Sequence, residues 1–248
     1  MISILGFLIA AAVGLTGVGA GSVTAPVLIL FFKQGPAAAV GTALVFSFAI
    51  KALVAPIYLR RRQVDLPALG ALCLGGIPGV VTGALALALL QLYRYQRPIL
   101  LLVGIMVAGM ALYNLQRMVR NPRETSGKDR SALLPWVAAL IGAEAGFSSA
   151  GTGALGTLLL MRCTRLLPAQ VVGTDLCFGL AVSIVGGGWH VSTGDYNSVL
   201  LMKLIAGGAP GILAGASLSS ILPDRPLRLV LSGLLAALGL QLCFRALW

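Results

Sequence analysis

The stretch GFSSAGTG at residues 146–153 decides the fold, because it breaks an apolar segment with residues that form helices poorly. A related stretch, GLTGVGAG, stands at residues 14–21 and has glycine at three of the same positions. Each lies in an apolar run of about 30 residues, which as one straight helix would extend roughly 45 Å, well beyond a hydrocarbon core of about 30 Å. Both runs, 2–32 and 132–161, are therefore predicted to form two half-helices around an unwound loop.

The composition places nearly the whole chain in a membrane. Of its 248 residues, 58% are hydrophobic and 10% are charged, whereas soluble domains have roughly 25% charged residues. The net charge of +11 comes largely from arginines between apolar segments, which favours contact with anionic lipids over nucleic-acid binding. No basic region precedes the first apolar stretch, so we expect no cleavable signal peptide. The four scattered cysteines are interpreted as packing residues.

The other apolar segments predict six ordinary spanning helices. They cover residues 37–59, 66–91, 98–118, 169–190, 198–221 and 226–247. A hydrophilic stretch at 119–131 has mixed charge and turn-forming residues, and is interpreted as a linker. The chain is therefore expected to be an all-α polytopic membrane protein with a first repeat at 1–118 and a second repeat at 132–248.

The two halves repeat each other in one gap-free register, and the shift is 132 positions, the difference between Gly14 and Gly146. In this register Gly41-Thr42 falls on Gly173-Thr174, and the run GGIPG at 75–79 falls on GGAPG at 207–211. A duplication of this kind in a very hydrophobic chain is the usual sign of a transporter that binds its substrate between the repeats.

The charges of the loops predict how the two halves are oriented. If both broken segments crossed the membrane, each half would have four spans, and the basic residues would divide evenly between the faces. If both turn back, each half has three net crossings, the halves are inverted, and most basic loops share one face. The loop at Arg60–Arg62 is strongly basic and its counterpart at 192–195 is not. We therefore favour inversion, with the basic face in the cytoplasm.

The two breaks are the first candidates for binding a small oxyanion. A helix that begins after an unwound loop presents free N–H groups at its positive end. Hydroxyl donors lie in or beside the breaks at Ser22, Thr24, Ser149 and Thr152, and on the following helices at Thr42 and Thr174. Two alternatives stay open: small residues let membrane helices approach closely, and helical threonines bond to a carbonyl one turn earlier.

Ionisable residues within membrane segments are hypotheses for function by default. Lys51 lies well inside a predicted helix, where it either attracts an anion or extends to the interface. Glu144, Asp175 and His190 are candidates for proton coupling, although a carboxylate can also satisfy a helix end and a histidine beside a tryptophan can anchor at the interface. The sequence has no Ser/His/Asp arrangement, paired-carboxylate site or metal-ligand cluster, so we expect neither an enzyme nor a cofactor.

The chain resembles the sulfite exporter TauE/SafE family along essentially its whole length. The residues that carry the resemblance are a Gly-rich break followed by Pro-x-Leu at Pro26–Leu28, then a proline at Pro36 and the pair Gly41-Thr42, with a second copy of this pattern in the other half. The resemblance implies a membrane permease of prokaryotic type, also found in plants, for sulfite, sulfonates and similar anions. It also implies that the pathway is lined by Gly19, Gly21, Thr42, Gly151, Gly153 and Thr174.

The leading hypothesis is a secondary transporter of a small oxyanion, with alternating access at the interface between the repeats. An anion channel and a non-transporting membrane scaffold subunit are the alternatives. The expected partners are a small anionic substrate and the lipid bilayer, with homo-oligomer formation left open and no nucleic acid. We expect the protein to lie in the inner (plasma) membrane of a bacterium as a multi-pass protein.

Overall fold

The computed structural model describes residues 2–16, 19–92, 96–120, 130–218 and 224–247. Within these residues the chain is helical and has no strand. The helices are α1 Ile2–Thr16, α2 Ala20–Phe32, α3 Pro36–Arg60, α4 Leu66–Leu92, α5 Gln96–Arg120, α6 Leu134–Ser148, α7 Ala154–Cys163, α8 Pro168–Thr193, α9 Ser198–Leu218 and α10 Asp224–Leu247. Most of the predicted linker, 119–131, lies outside the described residues, so the domain boundaries stay a prediction.

Seven helices in the described parts of the chain are long and apolar enough to cross a membrane. Six of them are α3, α4, α5, α8, α9 and α10, which confirms the six predicted spans. The seventh runs from Ser131 to Ser148 and combines α6 with the 3-10 turn before it. The 3-10 turn accounts for the extra length, because α6 has 15 residues like α1 and ends at Ser148, the residue that matches Thr16 at a shift of 132 positions. The segment thus reaches the length of a span where the sequence predicted a half-helix.

The outer surface of the helical bundle is covered with large apolar side chains, as a lipid environment requires. Trp136, Leu140 and Leu74 are each more than 70% exposed, and many other leucines lie on the same outer surface. Together with the candidate spans, this surface defines an integral, multi-pass membrane protein.

Both apolar runs are interrupted where the glycine clusters predicted a break. In the first half, α1 ends at Thr16 and α2 begins at Ala20. In the second half, Ser149 ends α6 with a left-handed φ of 63°, and Gly153 precedes α7 with a φ of 108°. Glycine tolerates that second value because it has no Cβ. With 13 and 10 residues, α2 and α7 extend only about 20 and 15 Å, too short to cross the hydrocarbon core.

Two pairs of helices pack backbone against backbone through rows of glycine, α1 with α9 and α4 with α6. In α9, the glycines at 207, 211 and 215 face the backbone of Ser3, Phe7 and Ala11; in α4, those at 75, 79 and 83 face Pro135, Ala139 and Ala143. Both helices of each pair advance together, so each pair is parallel. Each of these three contacts between α9 and α1 is equivalent to one between α4 and α6 at a shift of 132 positions.

The centre of the bundle contains α3 and α8, which run antiparallel. Gly41 near the start of α3 lies against His190 near the end of α8, and Gly173 near the start of α8 lies against Tyr58 near the end of α3. The pair α5 and α10 is also antiparallel, since Gly104 contacts Cys243 whereas Ala108 contacts Gly239. Thus each helix in these pairs packs against its own counterpart under the 132-residue shift.

The packing contacts also show which way each short helix runs. The start of α9 lies beside Thr42, and Gly208 farther along α9 lies beside Phe46 and Ile50, so α9 is parallel to α3. Because α1 is parallel to α9, it points in the same direction as α3. The chain therefore has to reverse in α2 before α3 begins. In the other half, α4 is parallel to α6 and also to α8, so α6 and α8 point in the same direction. The chain therefore has to reverse in α7 before α8 begins.

We expect Gly79→Ala to lower the stability of the protein and Gly70→Ala to leave it unchanged or raise it. A Cβ at Gly79 would lie 2.9 Å from the carbonyl carbon of Ala139, whereas a Cβ at Gly70 on the same helix meets nothing within 4 Å. The gain in helix propensity, up to about 1 kcal/mol, is common to both. In Gly79→Ala, the steric overlap of the new Cβ with the backbone of Ala139 should cost about 1–3 kcal/mol of stability. Thermal unfolding in detergent measures the difference, and equal melting temperatures would contradict the proposed packing.

Candidate functional site

The two breaks meet in the interior of the bundle. Gly19, which precedes α2, lies against the carbonyl oxygen of Thr152 in the second break. Gly21 in the first turn of α2 lies against Ser149, and a Cβ added there would be 3.1 Å from the Ser149 Cβ. Residues 148–153 are all buried, as are Gly19 and Gly21. The contact is possible only because both positions in the first half lack a side chain.

A buried lysine reaches this contact from the middle of α3. Lys51 is only 6% exposed, and its ammonium donates a hydrogen bond of 3.4 Å to the hydroxyl of Thr152. On its other side the ammonium lies against Gly179 of α8, where the absence of a side chain makes room for it. An ammonium has three N–H donors, so it retains donors for a further acceptor after bonding to Thr152. The alternative that Lys51 extends to the interface is excluded by its burial.

The serine and threonine in the first turn of α2 use their hydroxyl protons locally. Ser22 donates to the carbonyl of Gly19 at 2.6 Å, and Thr24 donates to the carbonyl of Ala20 at 2.8 Å. Ser149 differs, because its buried hydroxyl has no hydrogen-bond partner in the described structure. Of the hydroxyls predicted to bind an anion, those of Ser149 and Thr152 are therefore the ones left available beside Lys51.

Ser183 is a candidate that the sequence analysis missed. Its hydroxyl is buried and has no hydrogen-bond partner among the described residues. It lies one helical turn after Gly179, so it shares the face of α8 that contacts the Lys51 ammonium. The repeat could have revealed it, because Ser183 is the residue that matches Lys51 at a shift of 132 positions.

Thr42 and Thr174 hold the loops that precede α9 and α4. The hydroxyl of Thr42 accepts a 2.9 Å hydrogen bond from the backbone N–H of Asn197, and that of Thr174 accepts one of 2.9 Å from the N–H of Asp65. Asp65 and Asn197 also cap α4 and α9 through their side chains. The four residues form two equivalent contacts under the 132-residue shift. Substrate binding by the two threonines stays a prediction, since their hydroxyls are used here in the fold.

Asp175 of α8 lies beside the N-terminus of α7, one helical turn before Gly179, which contacts the Lys51 ammonium. It is 3% exposed, its Oδ2 is 2.7 Å from the hydroxyl of Thr157, and its Oδ1 lies against Gly156. The Thr157 hydroxyl is also 2.7 Å from the carbonyl oxygen of Gly153, so its single proton has two acceptors. The Gly153 carbonyl also accepts the backbone N–H of Thr157 at 3.4 Å, so the Thr157 hydroxyl can donate its proton to the Asp175 carboxylate.

Glu144 also borders the second break, whereas His190 lies elsewhere. Both carboxylate oxygens of Glu144 are buried without a hydrogen-bond partner in the described structure, and Oε2 lies against Gly151. His190 is buried beside Gly41, with no hydrogen-bond partner described for either ring nitrogen. It is 15 residues from Asp175 along α8, about 22 Å. The structure thus brings two of the three coupling candidates to the break.

These features define the class of the protein: a polytopic membrane protein in which two broken helices meet beside a buried cationic side chain. The chain belongs to the sulfite exporter TauE/SafE family, whose model matches residues 2–242, and this confirms the resemblance found in the sequence.

The comparison with curated proteins agrees with this family. The chain is 26% identical over 253 residues to the probable membrane transporter protein YjnA of Bacillus subtilis strain 168, covering 97% of this chain and 98% of that protein. No solved structure matches it. The protein is therefore a transporter and not an enzyme.

We expect Thr174→Val to destabilise the protein and Thr174→Ser to preserve its stability. Valine keeps the shape of threonine but removes the oxygen that accepts the N–H of Asp65. An unsatisfied buried N–H costs about 1–3 kcal/mol. Thermal unfolding of both variants measures the effect, with Thr42→Val as the equivalent change in the other half. A valine variant as stable as the wild type would show that this hydrogen bond does not hold the loop.

Proposed function

We propose that the protein is a secondary transporter of a small sulfur-containing oxyanion such as sulfite or a sulfonate. The observation that carries this proposal is the buried ammonium of Lys51, which lies on the loop where the two broken helices touch. A buried charge is costly unless a partner of opposite charge or several hydrogen bonds satisfy it. A bound anion would provide that partner. The family supports sulfur chemistry as the class of substrate.

The groups around Lys51 suit a small oxyanion. The hydroxyls of Ser149 and Thr152 supply neutral donors, and the N-terminus of α2 faces the same loop through Gly19 and Gly21. An α-helix carries roughly half a positive charge at its N-terminus. One full charge, one partial charge and two hydroxyls attract an anion while leaving it free to dissociate.

The directions of the helices support alternating access between inverted repeats. Equivalent central helices α3 and α8 are antiparallel, which is the relation given by a two-fold axis in the membrane plane. Both short helices reverse the chain, so each half would contribute three net crossings. The site at the breaks would then lie between two halves that this two-fold axis relates. The site could open toward one face of the membrane through one half and toward the other face through the other half.

The two threonine contacts are suited to act as gates on the opposite faces. The Thr42–Asn197 bond lies at the start of α3, and the Thr174–Asp65 bond lies at the start of α8. Because these helices are antiparallel, the two bonds are at opposite ends of the central pair. We infer that one contact opens while the other stays closed.

We infer from the same orientation which end of the protein faces the cytoplasm. The loop at Arg60–Arg62 would face the cytoplasm by the positive-inside rule, in the plasma membrane of a bacterium. Glu144, which lies unpartnered against Gly151, is the proposed proton-coupling residue, and Asp175 is the second.

We expect Lys51→Gln to abolish anion binding and transport, whereas Lys203→Gln leaves both unchanged. Lys203 lies exposed on α9, so the control removes the same charge from the protein without touching the breaks. The measurements are thermal stabilisation by sulfite and methanesulfonate, and uptake of labelled sulfite into proteoliposomes. Losing the ammonium should reduce affinity at least about 10-fold, since a hydrogen bond to a charged group contributes about 1.5–3 kcal/mol. Unchanged binding by Lys51→Gln would refute the site.

Uptake under an imposed proton gradient tests coupling through Glu144. Wild-type protein should accumulate the anion against its concentration gradient, whereas Glu144→Gln should transport it only downhill, because glutamine cannot carry a proton. Glu144→Asp keeps a titratable group and should retain some uphill transport. Uphill transport by Glu144→Gln at the wild-type rate and with the same pH dependence would exclude this role. Dissipative flux in the wild type would instead identify an anion channel.

A further inference from the structure

Two buried side chains of opposite charge border the second break. The Lys51 ammonium donates a hydrogen bond to Thr152, and the Asp175 carboxylate accepts one from Thr157 at the start of α7. Among the described residues, these are the lysine and the carboxylic acid with the lowest exposure, 6% and 3%.

These two side chains attract each other but are not joined in an ion pair. The Lys51 ammonium lies against Gly179 of α8, which is one helical turn after Asp175 and on the same face of that helix. Even so, Oδ1 of Asp175 has no hydrogen-bond partner, and the described hydrogen bond of the Lys51 ammonium goes to Thr152. A structural ion pair would bring the two groups into contact and satisfy both. Here the lysine is left with donors for another anion while it stays within the field of the aspartate.

The second half alone has this carboxylate. At a shift of 132 positions, Asp175 matches Ala43 and Thr157 matches Ala25, so the first half has an apolar pair where the second has an acid and a hydroxyl. The N-terminus of α7 therefore faces a resident negative charge, whereas no acidic residue occupies the equivalent place beside α2. An anion that enters between the breaks is repelled from α7 and is favoured on the side of α2, Ser149 and Lys51.

We propose that Asp175 is a resident counter-ion that sets the affinity of the site and its selectivity for anion charge. It balances the Lys51 ammonium when the site is empty, and it weakens the binding of a substrate anion through repulsion. The repulsion is stronger for a dianion than for a monoanion, so the carboxylate favours singly charged substrates such as sulfonates. This inference rests on the proposed function, because it requires an anion to bind at Lys51.

Binding of two probe anions to purified full-length protein tests the proposal. Isothermal titration calorimetry would compare methanesulfonate, a monoanion, with sulfate, a dianion, in the wild type, Asp175→Asn and Lys51→Gln. Asparagine keeps an oxygen that accepts from Thr157 while removing the charge. We expect Asp175→Asn to lower the Kd for methanesulfonate about 10-fold and that for sulfate about 100-fold, because the Coulomb energy is proportional to the charge of the ligand.

Asp195→Asn is the matched control. It removes a carboxylate from the loop between α8 and α9 and keeps an oxygen that accepts from Thr193. Both Kd values should stay at the wild-type level in this variant. If Asp175→Asn does not fold, as judged by thermal unfolding, Asp175→Ser removes the same charge and carries the same expectation.

The outcomes separate this inference from the proposed function. If Lys51→Gln abolishes binding and Asp175→Asn leaves the ratio of the two Kd values unchanged, Asp175 is not a counter-ion and the inference fails while the transport site stands. If Lys51→Gln binds both anions as the wild type does, the proposed site itself fails. A larger gain for sulfate than for methanesulfonate in Asp175→Asn supports both.

Discussion

The structure depends on the contact between two unwound segments inside the bundle. Gly19 and Gly21 let the beginning of α2 lie directly on Thr152 and Ser149. Backbone groups freed from helical bonding are tolerated at membrane depth only where other protein or a cavity satisfies them. Each break therefore helps to shield the backbone of the other break from lipid. The bundle around them holds the contact in place through glycine rows, which bring α1 to α9 and α4 to α6 at backbone distance.

The two halves share their packing but differ in their chemistry. Glycine contacts, helix caps and threonine bonds occur as equivalent pairs at a shift of 132 residues. The charged and unpartnered polar groups do not, since Lys51 matches Ser183, Asp175 matches Ala43 and Glu144 matches Ala12. A symmetric frame suits the proposed opening to two faces, and the asymmetric groups would give the proposed site between the halves a fixed polarity.

Much of the fold could be predicted from sequence, because hydrophobic length and glycine content act locally. The six spans and both breaks followed from these signals alone. The sequence predicted a half-helix at α6, and the 3-10 turn before this helix makes the segment long enough to cross. Among site residues, Lys51, Ser149 and Thr152 do meet at the breaks, but the hydroxyls of Thr42 and Thr174 bond to loops, and Ser183 went unnoticed because a lone serine in an apolar helix carries no local signal.

The sequence by itself determined that this chain is a membrane protein with paired broken helices, since the lengths of apolar runs and the low helix propensity of glycine are properties of single segments. Only the tertiary structure decided that α2 and α7 reverse the chain, that the breaks touch, and that a buried lysine and a buried aspartate both border one of them. Those facts depend on which helices pack together, and residues more than a hundred positions apart come into contact only through that packing.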